Sequence, residues 1–292
     1  MKKSKTSLPD SHSSSVLNEE QRKVFASFVS GANLYITGKG GSGKSFLTRY
    51  IIDYCHQKER KVLICAPTGI AALNIGGATI HRTFGAPTSI IEPGERCRKK
   101  DLLEIIDAAE VIIIDEISMC RVDLFEYVAN TLLHMRNRKQ IVLVGDFYQL
   151  PPVLTTKDIK AFNAFYGDKL YAFESELWQK LQLQTMELQC SMRQKDKVFI
   201  KTLDNIREGT PDFSVFKNSS SDPMALTICG TNDEADKINK KNLNWLKKQG
   251  AKISKVEAKV TGTIDSSEKP TDETLTLCPG ARVVMLNNDK DN

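Results

Sequence analysis

The sequence predicts an α/β fold in which a mostly parallel, doubly wound sheet carries helices on both faces. Six short apolar runs rich in β-branched residues lack polar alternation, which is typical of strands covered on both sides. Apolar residues with helical spacing lie between the runs, as in 46–54 and 122–132. Strands that alternate with helices favour parallel pairing through crossover connections. The six runs are 34–37, 62–65, 111–114, 141–144, 225–228 and 282–286.

The composition changes along the chain predict two domains after a short tail. Residues 1–15 are rich in Ser and Lys and lack an apolar segment, so we expect a disordered tail rather than a secretory signal. Around 183–224 the pattern becomes polar and rich in turn residues. We therefore place a domain boundary near residue 185, which gives a first domain over 16–184 and a second over 185–292.

Charge and cysteine usage narrow the class of protein. The formal net charge of +5 and the pI near 8.7 agree with a polyanionic partner without requiring one. Seven scattered cysteines, with no CxxC and no Cys/His cluster, argue against a zinc site and indicate reduced thiols. No apolar run approaches the roughly 20 residues that span a bilayer. We expect no membrane partner and a bacterial or phage cytoplasmic location, or a nuclear or mitochondrial one in a eukaryote.

The segment "TGKGGSGKS" at 37–45 matches the phosphate-binding pattern G-x-x-x-x-G-K-[ST] between a predicted strand and a predicted helix. Glycines let backbone N–H groups surround a phosphate, and the helix N-terminus adds its dipole. Lys44 would bind the β- and γ-phosphates of ATP, and the Ser45 hydroxyl would ligate Mg²⁺. The alternative is a glycine-rich turn without a ligand. The predicted nucleotide-binding residues of this loop are Gly38, Gly40, Gly41, Ser42, Gly43, Lys44 and Ser45.

The segment "VIIIDEIS" at 111–118 places two carboxylates where a buried strand ends. Ligands of α/β sheets bind at this carboxyl edge. Asp115 would hold Mg²⁺ through water, and Glu116 would take the proton from the attacking water, a role worth about 10²–10⁴-fold in rate. By itself such a strand end is as often structural as functional, but the glycine-rich loop upstream favours the catalytic interpretation.

The segment "VLVGDFYQLPPV" at 142–153 ends another predicted strand with polar residues. This strand belongs to the same sheet, so its end should face the same nucleotide. Gln149 would orient the attacking water or sense the γ-phosphate, and Asp146 would support the metal indirectly. The alternative is a Gly-Asp turn followed by a proline linker.

Two further residues are candidates for the nucleotide site. In "LNEEQRKVF", Gln21 could contact adenine, although a helix N-terminus capped by Asn18 explains the same residues. In "ELQCSMRQ", Arg193 lies just inside the predicted second domain, and domain closure could bring it to the γ-phosphate. Such an arginine is worth about 10³–10⁵ in rate, whereas a lone arginine is more often a surface ion-pair partner.

The segment "CAPTGIAALNIGGATIHRTFG" at 65–85 is rich in small and hydroxyl residues, which permit close approach of a phosphodiester backbone. An aromatic ring there could stack on a base for about 1–3 kcal/mol. A histidine in such a segment is also commonly structural. The candidate DNA-binding residues are Thr68, Gly69, Thr79, His81 and Phe84.

Taken in order, LNEEQ, GKGGSGKS, APTGIAALNIGGATIHRTFG, IIIDEISM, VGDFYQLPPV and SMRQ closely resemble the PIF-family DNA helicases of superfamily 1, with RecD-like helicases as cousins. The likeness continues through IREGTPD, TICGTNDEADKINKKNL and PGARVVMLNND, and so covers nearly the whole chain after residue 16. It implies a P-loop NTPase with two RecA-like domains, ATP and Mg²⁺ between them, and single-stranded DNA across their tops. It also implies 5′ to 3′ translocation coupled to ATP hydrolysis, and roles in DNA repair, recombination and telomere maintenance.

The resemblance implies the following contacts: Gln21 with adenine, Lys44 and Ser45 with the phosphates and Mg²⁺, Asp115 and Glu116 with metal and water, Gln149 and Arg193 with the γ-phosphate, and Thr68, Thr79, His81 and Phe84 with DNA. It also makes 86–104 a small strand-separating insertion; the alternative is that its basic cluster is a solvated face. It implies a monomer that acts on single-stranded and forked duplex DNA. The late family motifs have no match before Asn292, so we expect an incomplete second domain and a chain that is a fragment. An ATP-dependent DNA clamp or regulator without processive unwinding is therefore the alternative function.

Overall fold

A computed structural model describes residues 16–216, 226–259 and 272–283. The chain forms two compact units, Met1–Val215 and Phe216–Asn292. This division lies about thirty residues beyond the predicted boundary near 185, because a strand that begins at Gln184 belongs to the sheet of the first unit. A second RecA-like domain stays a prediction, and the predicted disordered tail lies outside the described residues.

The first unit is built on a parallel six-stranded sheet of order β3-β2-β4-β5-β1-β6. The strands are β1 Leu34–Gly38, β2 Val62–Ala66, β3 Ala78–Thr79, β4 Val111–Ile114, β5 Gln140–Val144 and β6 Gln184–Leu188. Four of them coincide with predicted apolar runs, so the α/β prediction is confirmed for this unit. The sequence did not reveal β3 and β6, which form the two edges of the sheet.

Helices cover both faces of this sheet. They are α1 Glu19–Val29, α2 Lys44–Gln57, α3 Gly69–Asn74, α4 Ile80–Phe84, α5 Lys100–Ala108, α6 Val122–Leu133, α7 Ile159–Tyr166, α8 Glu176–Lys180 and α9 Lys197–Arg207. Short 3-10 helices span Ile117–Met119, Ala172–Glu174 and Phe213–Phe216. The helical spacing predicted around 46–54 and 122–132 is confirmed by α2 and α6.

Two buried apolar clusters form the core, one on each face of the sheet. Alternate residues of a strand point to opposite faces, and β4 shows this clearly: Ile112 and Ile114 belong to the cluster under α4, α5 and α6, whereas Val111 and Ile113 belong to the cluster under α1 and α2. Burial on both sides explains why these strands are apolar throughout. It also leaves the ends of the strands as the places where polar side chains can collect.

The second unit contains one helix and one hairpin among its described residues. The helix is α10, Asn232–Lys248, and the antiparallel hairpin joins β7, Ser254–Glu257, to β8, Thr274–Leu277. Of the two strands predicted here, residues 226–228 and 282–283 have irregular backbone, and the remaining residues lie outside the described ranges. Exposure explains the first case, since Ile228 is 93% exposed and packs against no core.

In the parts of the chain that the structure describes, no helix combines the length and apolar character that crossing a membrane requires.

Candidate nucleotide-binding site

The glycine-rich loop joins β1 to α2, as its motif predicts. Gly38, Gly41 and Gly43 have φ values of 142°, 81° and 89°, a region that L side chains rarely adopt. At Gly38 a Cβ would also lie 2.3 Å from the carbonyl oxygen of Leu188. The loop therefore packs directly on the end of β6, and glycine is required both for conformation and for space.

Lys44 is a partly buried cation at the start of α2. Its Nζ donates hydrogen bonds to the carbonyl oxygens of Gly38, at 2.6 Å, and Lys39, at 3.2 Å. Burial lowers the pKa of Lys44, and the negative charges of Asp146 and Glu116 oppose this shift. The ammonium has lost much of its hydration, so phosphate oxygens entering the loop would regain favourable interactions that the fold alone does not provide.

Ser42 and Ser45, both predicted to contact the nucleotide, lie in different surroundings. Ser42 is 1% exposed, its Oγ has no hydrogen-bond partner in the described part of the chain, and its N–H donates to the Lys39 carbonyl at 3.1 Å. Its side chain therefore packs inside the loop, and contact of Ser42 with the nucleotide stays a prediction. The exposed Ser45 lines the adjacent cavity.

A cavity of about 530 Å³ opens beside the glycine-rich loop at the carboxyl edge of the sheet. It gathers side chains that are far apart in the sequence and come from α2, the start of α3 and the ends of β4 and β5. Those predicted to be functional are Ser45, Thr68, Asp115, Glu116 and Gln149. The two carboxylates and the amide thus lie at the same sheet edge as the loop, as the motifs imply.

Asp115 and Ser45 form a suitable oxygen donor set for magnesium. Burial raises the pKa of Asp115 to about 6, and the neighbouring charge of Glu116 contributes in the same direction. The Glu116 N–H donates to Asp115 Oδ1 at 3.0 Å. Carboxylate and hydroxyl oxygens are ligands that Mg²⁺ prefers, and a cation beside this carboxylate would favour its charged form. The residues present therefore fit the ion.

Glu116 has a strained backbone at the point where β4 ends. Its φ and ψ are 52° and 43°, a left-handed conformation that is uncommon for a residue with a side chain. This conformation costs roughly 1–2 kcal/mol. Such strain clusters at functional sites, where the surrounding structure maintains it. The left-handed conformation of Glu116 occurs where the chain turns from β4 into the 3-10 helix Ile117–Met119, and the Glu116 side chain lies at the cavity wall.

Gln149 is held by a hydrogen bond to Asp146. The Gln149 Nε2 donates to Asp146 Oδ2 at 3.1 Å, and the Tyr148 N–H donates to Asp146 Oδ1 at 3.1 Å. Asp146 also forms an ion pair with Arg207 at the end of α9. Asp146 therefore organises its own loop, and its indirect support of a metal stays a prediction.

Gln21 takes part in a helix cap and also touches the glycine-rich loop. Its Oε1 accepts from the Asn18 N–H at 3.1 Å, and its own N–H donates to Asn18 Oδ1 at 2.8 Å, which completes a capping box. Its Nε2 donates to the Gly43 carbonyl at 3.4 Å. The helix-cap interpretation is therefore confirmed, and the contact with Gly43 places Gln21 beside the glycine-rich loop. With 1% exposure its amide is covered, so contact with adenine stays a prediction.

Arg193 lies against the glycine-rich loop within the first unit. The N–H of Met192 donates to the Gly41 carbonyl at 2.8 Å, and a Cβ added to Gly41 would be 2.8 Å from the Arg193 Cβ. The expectation that Arg193 reaches the site from the second domain is therefore corrected. Its segment follows β6 directly, and β6 pairs with β1 beside the loop.

Thr68 and Thr79 begin two short helices at the same edge of the sheet. Their hydroxyl oxygens accept hydrogen bonds from the N–H groups of Ala71 and Arg82, each at 3.2 Å. A hydroxyl that accepts a cap bond still has its proton to donate to a phosphate oxygen. Both threonines therefore retain the chemistry predicted for DNA contact, and exposed Gly69 adds no bulk beside Thr68.

The two ring-bearing DNA candidates differ in accessibility. Phe84 is 0% exposed and belongs to the core cluster under α4 and α6, so it cannot stack on a base. The prediction for Phe84 is wrong, because its ring packs inward from the last turn of α4. His81 is half-buried, and burial followed by the charge of Arg121 lowers its pKa. A neutral His81 could contact DNA by hydrogen bonding but would add no charge.

Several polar residues at the site had not been predicted. Arg49 and Ser118 line the cavity. Lys39, in the glycine-rich loop, forms an ion pair with Asp204 of α9, and Arg207 of α9 forms one with Asp146. Arg49 lies four residues after Ser45 and hence on the same face of α2, a spacing that could have identified it. The pair partner of Arg207 is 61 residues away in sequence, so no local pattern could have shown it.

Comparison with known proteins identifies relatives of this chain. A family model described as PIF1-like helicase matches residues 16–215. The ATP-dependent DNA helicase Pif1 of Campylobacter jejuni is 30% identical over 286 residues, covering 89% of this chain and 63% of that protein. The corresponding helicase of Candida albicans is 31% identical and covers 94% of this chain and 33% of that protein. The chain thus spans between one third and two thirds of these relatives.

Solved structures give the same result. Bacteroides Pif1 bound to single-stranded DNA is similar with a TM-score of 0.75 and 31% identity, over 94% of this chain and 66% of that one. The Bacteroides enzyme with ADP-AlF3 and single-stranded DNA gives 0.74 and 30%, with the same coverage of both chains. The matched segment contains every motif from Gln21 to Arg193. The resemblance inferred from those motifs is confirmed, and the chain belongs to the PIF1-like helicase family.

Proposed function

We propose that this protein is an ATP-dependent DNA helicase motor that moves 5′ to 3′ on single-stranded DNA and couples ATP hydrolysis to duplex unwinding. The observation that carries the proposal is the cavity that joins Ser45, Asp115, Glu116 and Gln149 beside the glycine-rich loop. Relatives named ATP-dependent DNA helicases support the coupling, and one relative binds a nucleotide analogue and single-stranded DNA together. The direction of movement rests on the family resemblance.

The nucleotide would bind with its phosphates on the glycine-rich loop. Backbone N–H groups and the Lys44 ammonium would contact the phosphate oxygens, and Ser45 and Asp115 would hold Mg²⁺. When bound, the ion neutralises charge on the transferred phosphate. Glu116 would accept the proton of the attacking water while the Gln149 amide fixes that water in place. Arg193, already against Gly41, would stabilise the charge that develops on the γ-phosphate.

DNA would cross the carboxyl edge of the sheet above the nucleotide. The hydroxyls of Thr68 and Thr79, with His81 nearby, would donate hydrogen bonds to the phosphodiester backbone, and such contacts carry no sequence preference. A relative has been described at forked duplex DNA as two coordinating Pif1 helicases. We propose single-stranded and forked DNA as substrates. We propose a single chain as the working unit, which rests on the family resemblance.

The test is the ATPase rate with and without single-stranded DNA, for the wild type and for Glu116→Gln. We expect DNA to stimulate turnover, and the substitution to lower it by about 10²–10⁴-fold while ATP and DNA binding persist. Binding of both ligands by the wild type without turnover would instead indicate a nucleotide-dependent DNA clamp. Turnover that ignores DNA would remove the helicase proposal.

A further inference from the structure

Helix α9 contacts the nucleotide site at two points. In the last turn of the helix, Asp204 accepts from the Nζ of Lys39, in the glycine-rich loop, at 2.5 Å. Three residues later Arg207 forms its ion pair with Asp146, in the loop that carries Gln149. Residues three apart share a helix face. One face of α9 therefore holds both the phosphate-binding loop and the loop with the proposed water-orienting amide.

Asp146 is the centre of the second contact. It is 1% exposed, and a buried carboxylate is costly unless it is paired and hydrogen-bonded. Three donors satisfy it: the Tyr148 N–H, the Gln149 Nε2 and the Arg207 guanidinium. Of the three, Arg207 alone carries a compensating positive charge. The position of this carboxylate therefore depends on Arg207.

Arg207 holds the same loop by a second contact. Its guanidinium carbon lies 4.4 Å from the centre of the Tyr148 ring, within the range of cation–π attraction. Tyr148 is 70% exposed, and the guanidinium lies over part of its ring. A planar guanidinium can stack on a ring while it donates to a carboxylate, which a lysine ammonium cannot do equally well.

The contact with Asp146 also decides which end of the Gln149 amide points where. An ionised carboxylate only accepts hydrogen bonds, so the amide must turn its nitrogen toward Asp146. Its oxygen is then the end left to accept from a water or another donor. Gln149 lines the nucleotide cavity together with Glu116, so the orientation of this amide affects the place where the water would be activated.

From these contacts we propose that Arg207 is a positioning residue for ATP hydrolysis, acting through Asp146 to fix the orientation of the Gln149 amide. The inference rests on the proposed function, since it assigns a role in the same reaction. Without Arg207, Asp146 would be a buried carboxylate with no ion pair. The nearby Lys44 ammonium would then be the main positive charge that balances the negative charge of Asp146. Both the amide and the phosphate-binding lysine would then be misplaced.

The kinetic test compares Arg207→Ala, Gln149→Ala and the double variant in DNA-stimulated ATP hydrolysis. We expect Arg207→Ala to lower kcat on the order of 10- to 100-fold, the scale that follows when a reacting group is misplaced. We expect KM for ATP to change by less than about threefold, because kcat is where a loss confined to the transition state appears. Since both residues act on one water, the double variant should be no slower than the slower single variant. Multiplying effects, or an unchanged kcat for Arg207→Ala, would overturn the proposal.

Two variants on the same elements serve as controls. Lys201→Ala removes an exposed cation from α9 and should leave kcat unchanged. Arg207→Lys keeps the charge and the fold but loses the stacked guanidinium, so its kcat should fall between those of the wild type and Arg207→Ala. Arg207→Lys could also be as slow as Arg207→Ala while it keeps the melting temperature of the wild type. That result would show that the stacked guanidinium carries the whole effect, and it would also support Arg207 as a positioning residue.

A second measurement does not depend on turnover. Amide hydrogen exchange over residues 145–150 should be faster in Arg207→Lys than in the wild type, because a less constrained loop opens more often. Exchange in Lys201→Ala should match the wild type. Unchanged exchange in Arg207→Lys would refute the role of Arg207 in holding this loop, even if the protein proved to be a poor ATPase. If the wild type shows no DNA-stimulated turnover but Arg207→Lys still exchanges faster than the wild type, the helicase proposal is rejected and the role of Arg207 in holding the loop is kept.

Discussion

Polar side chains lie at both ends of the parallel strands, which are called here the amino edge and the carboxyl edge of the sheet. The polar groups at these two edges differ in whether their hydrogen bonding is complete. A cavity opens at each edge, about 730 Å³ at the amino edge and about 530 Å³ at the carboxyl edge. The larger cavity lies away from every predicted motif. Size alone therefore does not identify the functional edge, and the state of the polar groups does.

At the amino edge, the polar side chains complete the hydrogen bonding of the fold. Gln140 Nε2 donates to the carbonyls of Phe28 and Ala32 at 2.7 and 2.9 Å, and its Oε1 accepts from Arg60 at 2.9 Å. Asn33 also bonds to the backbone, since its Oδ1 accepts from the Ile141 N–H of β5 at 2.9 Å. These amides bind backbone groups where the chain enters the strands, so they stabilise the fold and have little capacity left for a ligand.

At the carboxyl edge, several groups are held in states that the fold alone does not favour. Burial lowers the pKa of Lys44 and raises that of Asp115 to about 6. Ser118 is buried, and its Oγ lacks a hydrogen-bond partner within the described residues. Backbone strain does not distinguish the edges, because Glu116 here has a φ of 52° and Gln182, which lines the amino-edge cavity, has a φ of 50°. A bound ligand can recover the free energy lost at Lys44, Asp115 and Ser118, and the contrast between the edges teaches that desolvated or unpaired polar groups mark the site.

The largest expected effect is the loss of activity in Lys44→Ala. We expect ATP turnover to fall by about 10²–10³-fold, the usual cost of removing one group that stabilises transition-state charge. The free energy of unfolding should stay equal or rise, because the substitution removes a cation that burial has desolvated. ATPase assays and thermal melts check both. The control is Lys61→Ala, an exposed lysine at the amino edge, and an unstable Lys44→Ala variant would contradict the comparison.

The next effect concerns stability at the amino edge. Gln140→Ala removes the amide donor to the Ala32 carbonyl and leaves the Phe28 carbonyl with backbone N–H donors such as that of Gly31, so we expect the free energy of unfolding to fall by about 1–3 kcal/mol. Turnover per folded molecule should not change. Denaturant unfolding measures the loss, and exposed Gln184→Ala at the same edge should stay within about 0.5 kcal/mol of the wild type. A Gln140→Ala variant that is stable but inactive would reverse the roles assigned to the two edges.

The smallest effect compares two buried serines. Ser118→Ala removes an unpaired hydroxyl, so we expect stability to rise by up to about 1 kcal/mol. Ser175→Ala should instead lower it by about 1 kcal/mol, because the Ser175 Oγ donates to Glu126 at 2.7 Å and caps α8 by accepting from the Leu177 N–H. Equal losses in both variants, measured by denaturant unfolding, would mean that Ser118 has a partner in solution.

Periodicity and strand-end motifs predicted most of the first unit. Strands buried on both faces are apolar throughout, so β1, β2, β4 and β5 were visible as runs. Edge strands lack this signal: β6, Gln184–Leu188, has mostly exposed residues, and β3 has only two. The glycine-rich loop, the 115–116 pair and Gln149 could be placed together because parallel strands bring their carboxyl ends to one edge.

Local sequence could not distinguish an inward side chain from an outward one. Phe84 and Ile80 are four residues apart on α4 and both fully buried, a spacing that favours packing over base stacking. Ser42 has the right position in its motif but lies beneath the loop surface. The links from Asp146 to Arg207 and from Lys39 to Asp204 join residues 61 and 165 positions apart, and only the tertiary fold creates them.

The backbone of Glu116 has a consequence for how this protein would change under selection. Glycine at that position would adopt the same φ and ψ without strain. A laboratory screen that rewards heat resistance alone would therefore favour replacing this glutamate. A screen that rewards ATP consumption would retain it. After a few rounds, residue 116 should differ between populations selected for heat resistance and populations selected for ATP consumption. Heat resistance and turnover rate are therefore competing traits at this single codon.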